Sequence, residues 1–162
     1  MRMSPDQFVR QDRGPYLFDR WQWPDRVPTL LGDLIVELSA SDDEPPPDAA
    51  MVATAEELAA FAAGNGDLLL DLIYGHYRHA EERGWLSFWG VPPELPRAGV
   101  LSQVESVELL VRRGEELRPE AVVFVNPCWD PEHKLELSFH GGRIVAVNDE
   151  PYVLDGDVLR AR

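Results

Sequence analysis

Hydrophobic and polar residues alternate through the C-terminal half of the chain in a pattern that predicts β-strands. In Lys134–His140 the apolar residues Leu135, Leu137 and Phe139 alternate with polar ones, as in a strand with one buried face. The run Ala121–Val125 is continuously apolar, which is typical of a central strand covered on both faces. The predicted strands of a meander are Ser106–Arg113, Ala121–Val125, Lys134–His140 and Ile144–Val147. Gly141-Gly142 predicts a tight turn between the last two.

The N-terminal half predicts a hairpin followed by two helices. Strands over Tyr16–Trp23 and Leu30–Ser39 are separated by turn residues and pair most economically with each other. A first helix is predicted to open at Thr54, because Thr54-Ala55-Glu56-Glu57 fits a capping box. A second helix is predicted from a cap at Asp67 to a stop near Arg83. Its apolar face consists of Leu69, Leu70, Ile73, Tyr77 and Ala80.

Strands segregated from helices indicate an α+β fold. We expect an antiparallel sheet, made of the N-terminal hairpin and the C-terminal four-strand meander, with the two helices packed on one face. The length of 162 residues fits a single domain, with a core over about residues 16–149, a flexible N-terminus and a short C-terminal tail. One further short strand is expected near Tyr152–Leu154.

The charge of the chain narrows the classes of partner. The formal net charge is -14, and residues 36–75 carry nine acidic residues and no Lys or Arg. This field repels nucleic acid and anionic membranes and attracts a basic protein. Solubility alone is the simpler explanation of the same charge.

The sequence also indicates the cellular compartment in which the protein is expected. No apolar run is long enough to span a bilayer, and the first residues lack the apolar segment of a signal peptide. A single cysteine, Cys128, excludes an internal disulfide and fits a reducing compartment. We therefore expect a cytoplasmic protein, in which Cys128 is a small buried side chain and not a nucleophile.

The loop between two predicted strands carries the most chemistry. Trp129, Asp130, Glu132 and His133 lie close together there, and loops held by a sheet commonly bind partners. Alternatively the loop is structural. In that interpretation Asp130 accepts backbone N–H groups in an Asx-type turn, while Trp129 fills the core and donates its indole N–H to a carbonyl.

A metal-dependent hydrolase is the alternative functional interpretation. Asp130, Glu132 and His133 carry groups that ligate divalent ions, and His76 or His79 on the second predicted helix would complete the site. The sequence contains no P-loop, dinucleotide fingerprint or Gly-x-Ser-x-Gly elbow. We therefore predict no catalytic residue, no bound metal and no cofactor.

An aromatic cluster precedes a proline pair. Trp85, Phe88 and Trp89 are followed by Pro92-Pro93. Aromatic side chains are enriched in the hot spots of interfaces, and they also cover the edges of cores. A third interpretation follows, in which the chain is a structural subunit or homo-oligomer that uses this cluster.

The order of these features resembles an uncharacterised bacterial family, a domain of unknown function with a Trp-Asp-x-Glu-His-Gly-Leu signature. The residues that carry the resemblance are Trp21-Gln22-Trp23, Tyr74, Tyr77 and Cys128-Trp129-Asp130-Pro131-Glu132-His133 with Leu135, over roughly residues 16–149. Lys134 stands where the signature has glycine, which predicts an ordinary strand start instead of a tight turn. The resemblance implies an immunity or accessory role in a toxin system.

Together these patterns predict a non-enzymatic, cytoplasmic α+β domain that binds a basic protein, as an immunity-type inhibitor of a basic toxin does. The predicted contact residues are Trp129, Asp130, Glu132 and His133 with Asp42, Asp43 and Glu44.

Overall fold

The structure is a computed structural model that describes residues 1–11, 19–148, 150–155 and 158–161, with side chains up to residue 148. The two α-helices in these ranges are α1 (Ala49–Gly64) and α2 (Gly66–Glu82). Short 3-10 helices span Pro5–Gln7, Arg97–Gln103 and Glu115–Leu117. The strands are β1 (Val9–Gln11), β2 (Asp19–Gln22), β3 (Val27–Thr29), β4 (Gly32–Ala40), β5 (Val104–Arg113), β6 (Pro119–Pro127), β7 (Leu135–His140), β8 (Arg143–Val147), β9 (Glu150–Asp155) and β10 (Val158–Ala161). The expected α+β class is confirmed.

One mostly antiparallel sheet contains the described strands. Their order is β1-β2-β4-β5-β6-β7-β8-β9-β10, with β3 paired to β4. Among the described pairs, β4 and β5 run parallel and the others run antiparallel. The parallel pair arises because α1 and α2 connect β4 to β5 and return the chain to the end from which β4 started. The expectation of an antiparallel sheet is wrong at this pair.

The register of the strands places apolar side chains on one face. Leu38 pairs with Val111, Val111 with Ala121, and Ala121 with Phe139. All four are buried and belong to the core cluster, and α1 packs against β3, β4, β5 and β6. Burying a large aliphatic or aromatic side chain contributes about 1.5–3 kcal/mol, so this cross-strand ladder stabilises the sheet and fixes its register.

Strand β7 follows the predicted alternation. Leu135 and Leu137 are buried, as expected, and Gly141 and Gly142 form the turn that follows, with φ of 57° and 79°. Lys134 differs from the prediction, because its φ is 58°, in the left-handed region that favours glycine. The expected ordinary strand start at this residue is therefore wrong.

Helix α1 begins before the predicted capping box. The Asp48 side chain accepts a hydrogen bond from the Met51 N–H (3.0 Å), so the helix starts at Ala49 and an alanine-rich turn precedes Thr54. The Thr54 hydroxyl donates instead to the Ala50 carbonyl (2.9 Å). Thr54 is thus an interior residue, and its predicted capping role is wrong.

Helix α2 begins at Gly66, after an Asn65 N-cap that makes no side-chain capping bond. Gly66 is required there because a Cβ atom would lie 2.6 Å from the Leu30 Cβ. The predicted cap at Asp67 is wrong, since its carboxylate binds Arg97 (3.0 Å). The end of the helix near Arg83 is confirmed, and so is its predicted apolar face, whose members are all buried.

The other strand predictions are confirmed within the described ranges. The predicted strand Tyr16–Trp23 contains β2, and its residues 16–18 lie outside those ranges. Leu30–Ser39 corresponds to β4, and the tail strand corresponds to β9. Among the helices that the structure describes, none has the length and apolar character needed to cross a membrane.

Candidate partner-binding site

Trp129 anchors the loop between β6 and β7 to helix α2. We call residues Trp129–His133 the Trp129 corner. The indole is fully buried and packs edge-on against Tyr77, with 5.4 Å between ring centroids. Its Nε1–H donates to the His76 Nδ1 (2.9 Å). The predicted core position of Trp129 is confirmed, but the acceptor is an imidazole and not a carbonyl.

Asp130 organises the remainder of the corner. Its Oδ1 accepts the His133 backbone N–H (3.2 Å) and lies 2.9 Å from the His133 Nδ1, so the predicted Asx-type turn is confirmed. Its other oxygen, Oδ2, lies 4.0 Å from the His76 Nε2. Trp129 and Asp130 are buried and therefore offer a partner little surface. Of the four corner residues predicted to make contact, only Glu132 and His133 are exposed.

The electrostatics of the corner centre on His76. Burial lowers the pKa of His76; the Asp130 carboxylate raises the same pKa, and His79 lowers it further. Burial has the largest influence, because an imidazolium loses more hydration energy than a neutral ring. His76 is therefore neutral near pH 7, which leaves its Nδ1 free to accept the Trp129 N–H.

This lowered pKa predicts a pH dependence of folding. The unfolded chain binds a proton at His76 more readily than the folded chain, so stability rises with pH. The contribution of His76 is complete above the ordinary histidine pKa of about 6.5 and is lost as the pH falls below it. We expect the urea concentration at the midpoint of unfolding to fall when the pH is lowered from about 7.5 to about 5.5. In His76→Asn we expect a smaller fall. An equal decrease in both proteins would contradict this assignment.

A second feature of the surface is the aromatic turn, residues Trp85–Val91. Buried Leu86 and Val91 hold it on the core, and the Val91 N–H donates to the Leu86 carbonyl (2.9 Å). Trp85, Phe88 and Trp89 project outward and are 43%, 79% and 36% exposed. A fixed backbone thus presents large apolar side chains to solvent. The other interpretation of the sequence, that these side chains cover an edge of the core, stays a prediction.

The aromatic turn and the Trp129 corner both pack against the C-terminal half of α2. His76 contacts the corner, while the His79 ring packs edge-on against Trp85 at 5.8 Å. These two histidines are three residues apart, so they are neighbours on the helix surface. We call six of the exposed side chains of this region the α2 surface. They are His79, Trp85, Phe88, Trp89, Glu132 and His133.

The predicted acidic contact residues lie at the other end of the sheet. Asp42, Asp43 and Glu44 follow the end of β4. The register places that end level with the start of β6, on the other side of β5, whereas Trp129 follows the end of β6. The length of β6 at about 3.3 Å per residue separates the two regions by roughly 25 Å. Asp42 and Asp43 are exposed, and the Glu44 carboxylate accepts the Ser41 N–H (3.0 Å). The structure therefore does not join these acids and the corner into one site.

Several acids of the negative segment have structural partners. Asp67 and Asp71 both bind Arg97, at 3.0 and 2.5 Å, and these carboxylates raise the pKa of its guanidinium. Asp48 binds the buried Arg113 (3.2 Å), and a hydrogen bond from the Met51 backbone N–H is the largest influence that lowers its pKa. The acidic segment is therefore less free to attract a partner than its sequence indicates.

The chemistry open to the ligands of the alternative metal site depends on their positions, and that of the Cys128 thiol depends on its pKa. In the part of the chain that the structure describes, no three His, Cys, Asp or Glu side chains are placed so that they can hold a metal ion. The His79 ring packs against Trp85. Burial raises the pKa of the Cys128 thiol, and the charge of Glu105 raises it further, so the thiol is protonated and unreactive near neutral pH.

Comparisons with known proteins add no relative. No protein-family model matches the chain, and neither the curated proteins nor the solved structures gave a match. The resemblance to the bacterial Trp-Asp-x-Glu-His-Gly-Leu family stays a prediction that depends on the residues that carry it.

The aromatic turn has a signal in the sequence: three aromatic residues lie between Gly84 and Gly90, outside any periodic element.

Proposed function

We propose that this chain is a non-enzymatic, cytoplasmic binding domain whose partner is a basic protein, and that it acts as an immunity-type inhibitor of a basic toxin. The observation that most supports binding is the exposure of Trp85, Phe88 and Trp89 on a turn fixed by buried Leu86 and Val91. Aromatic side chains that are already ordered lose little entropy on association and commonly dominate the energy of an interface.

The α2 surface is the contact region in this proposal. Phe88 and Trp89 pack edge-on at 4.9 Å and provide the apolar centre. Glu132 and His133 are exposed on the neighbouring corner and provide part of a polar rim. Trp129 and Asp130 position that rim from below, so a role for them in binding is indirect.

Charge supplies orientation and speed in the same proposal. The net charge of -14 attracts a basic protein over distances comparable to the Debye length, about 8–10 Å at physiological salt. Asp42 and Asp43 are exposed but distant from the α2 surface. Their contribution is therefore to the association rate and not to direct contact.

The experiment begins with a photo-crosslinking amino acid in place of Phe88, expressed in the source organism, to identify the captured protein. The affinity of that protein is then measured for the wild type and for Phe88→Ser. We expect the substitution to weaken binding by about 30-fold or more, since a central aromatic hot spot contributes about 2 kcal/mol or more. Raising the salt concentration is expected to slow association.

Leu117→Ser is the matched control. Leu117 is also an exposed large apolar residue, at 54%, but it lies in the turn between β5 and β6, at the end of the sheet opposite the Trp129 corner. This substitution is expected to leave the affinity unchanged. An acidic captured protein, binding that does not respond to salt, or equal losses in the two variants would each overturn the proposal.

A further inference from the structure

The hydrogen bond between Trp129 and His76 requires one particular protonation state. The indole nitrogen is always a donor, so the His76 Nδ1 at 2.9 Å is the acceptor and carries no proton. The proton of the neutral ring is then on Nε2, which faces the Asp130 Oδ2 at 4.0 Å. The neutral His76 thus joins α2 to the corner by a hydrogen bond at Nδ1, while its Nε2 lies near the Asp130 carboxylate without a hydrogen bond to it.

A second proton on His76 changes both contacts. An imidazolium has N–H groups at both nitrogens, so two donors face each other and the Trp129 N–H loses its acceptor inside the core. The positive ring is attracted at the same time to Asp130, whose Oδ1 already binds His133. His79, on the same helix, is the other titratable group that acts on His76, and it opposes the charge.

From this geometry we propose that His76 is a proton-controlled latch on the Trp129 corner. The neutral ring holds Trp129 by accepting its indole N–H at Nδ1. The protonated ring has no acceptor for that N–H, so the indole is released and the corner loosens. Acidification therefore opens the corner before the rest of the chain unfolds.

The latch makes partner binding at the proposed site depend on pH. This consequence, unlike the latch, rests on the proposed function. Glu132 and His133 are the exposed residues of the corner, and their positions depend on the turn that Asp130 closes. A partner that binds the closed corner lowers the proton affinity of His76. By linkage, a proton on His76 lowers the affinity for that partner by the same factor.

Solution NMR of the free protein tests the latch without a partner. Nitrogen spectra of the histidine rings are expected to show His76 with an unprotonated Nδ1 near neutral pH. On titration from about pH 7.5 to about pH 5, the Trp129 indole signal is expected to shift with the His76 midpoint. After correction for its intrinsic pH dependence, indole hydrogen exchange is expected to become about tenfold faster. Trp129→Phe assigns the signal.

The chain provides internal and matched controls. The Trp23 Nε1 is buried with no hydrogen-bond partner among the described groups, so its exchange is not expected to follow His76. In His76→Asn the amide oxygen accepts the indole N–H and does not titrate, so the Trp129 signal is expected to stay constant. In His79→Asn the wild-type response is expected to persist.

Three results would overturn the latch: a proton on the His76 Nδ1 at neutral pH, a Trp129 signal that ignores the His76 titration, or an unchanged response in His76→Asn. The first two need only the wild-type protein and do not depend on how well a variant folds. With a captured partner in hand, acid is expected to weaken binding to the wild type more than to His76→Asn. Equal weakening would overturn the control of binding, whereas the spectra decide the latch separately.

Discussion

Replacing Trp129 by alanine is expected to lower the free energy of unfolding by about 3–5 kcal/mol, the usual cost of removing a large aromatic side chain from a core. The indole is fully buried, and its ring packs edge-on against Tyr77. Its loss leaves a cavity between α2 and the end of β6, and it leaves the His76 Nδ1 without a donor. Urea unfolding at neutral pH, monitored by circular dichroism, measures the change.

Trp85→Ala is the control for this prediction. Trp85 is also a tryptophan packed against a histidine of α2, but it is 43% exposed. Its removal is expected to cost less than about 1 kcal/mol, because solvent already surrounds much of the ring. If the two alanine variants lose the same stability, Trp129 is not the anchor of the corner, and the proposed latch loses its foundation as well.

Local patterns in the sequence are sufficient to predict much of the sheet and the buried face of α2. The alternation of Leu135 and Leu137 with polar residues specifies which side of β7 is buried, because side-chain direction in a strand depends on position alone. The helical spacing of Leu69, Ile73 and Tyr77 specifies the buried face of α2 in the same way. These predictions need no knowledge of distant residues, and the structure confirms them.

The start of α1 shows where local reasoning fails. The capping-box rule selects Thr54 as the cap of this helix. Asp48 is the cap in the structure because it binds both the Met51 N–H and the Arg113 guanidinium. Arg113 is 65 residues away in the chain, so a sequence window around the helix does not contain the decisive contact.

The candidate site depends on the same kind of distant contact. His76 and Trp129 are 53 residues apart, and no pattern in either segment indicates that the two rings meet. The parallel pairing of β4 with β5 is not among the predictions either, and it decides that Asp42 and Trp129 lie at opposite ends of the sheet. The chemistry of the site residues was therefore evident from the sequence, while their grouping was not.

Replacing Arg113 by methionine is expected to lower the free energy of unfolding by about 2–4 kcal/mol, since hydrogen bonds from a buried charged group are costly to leave unmade. The Arg113 side chain is 2% exposed. It donates to the Pro45 carbonyl and to the Pro46 carbonyl (2.8 Å), and it binds the Asp48 carboxylate (3.2 Å). Methionine fills similar space but satisfies none of these acceptors, so the connection between β4 and α1 loses its anchor.

Arg97→Met is the matched control, because Arg97 is also an arginine with several side-chain partners, which include Asp67 and Asp71. Its side chain is 38% exposed, so water replaces the lost hydrogen bonds and solvent screens the ion pairs. The urea midpoint of Arg97→Met is therefore expected to stay close to that of the wild type, while the midpoint of Arg113→Met falls clearly below it. Hydrogen exchange should also accelerate at the first amides of α1 in Arg113→Met, because Asp48 is no longer held in its capping position. Equal midpoints for the two variants would mean that Arg113 is dispensable and that the Asp48 cap alone fixes the start of the helix.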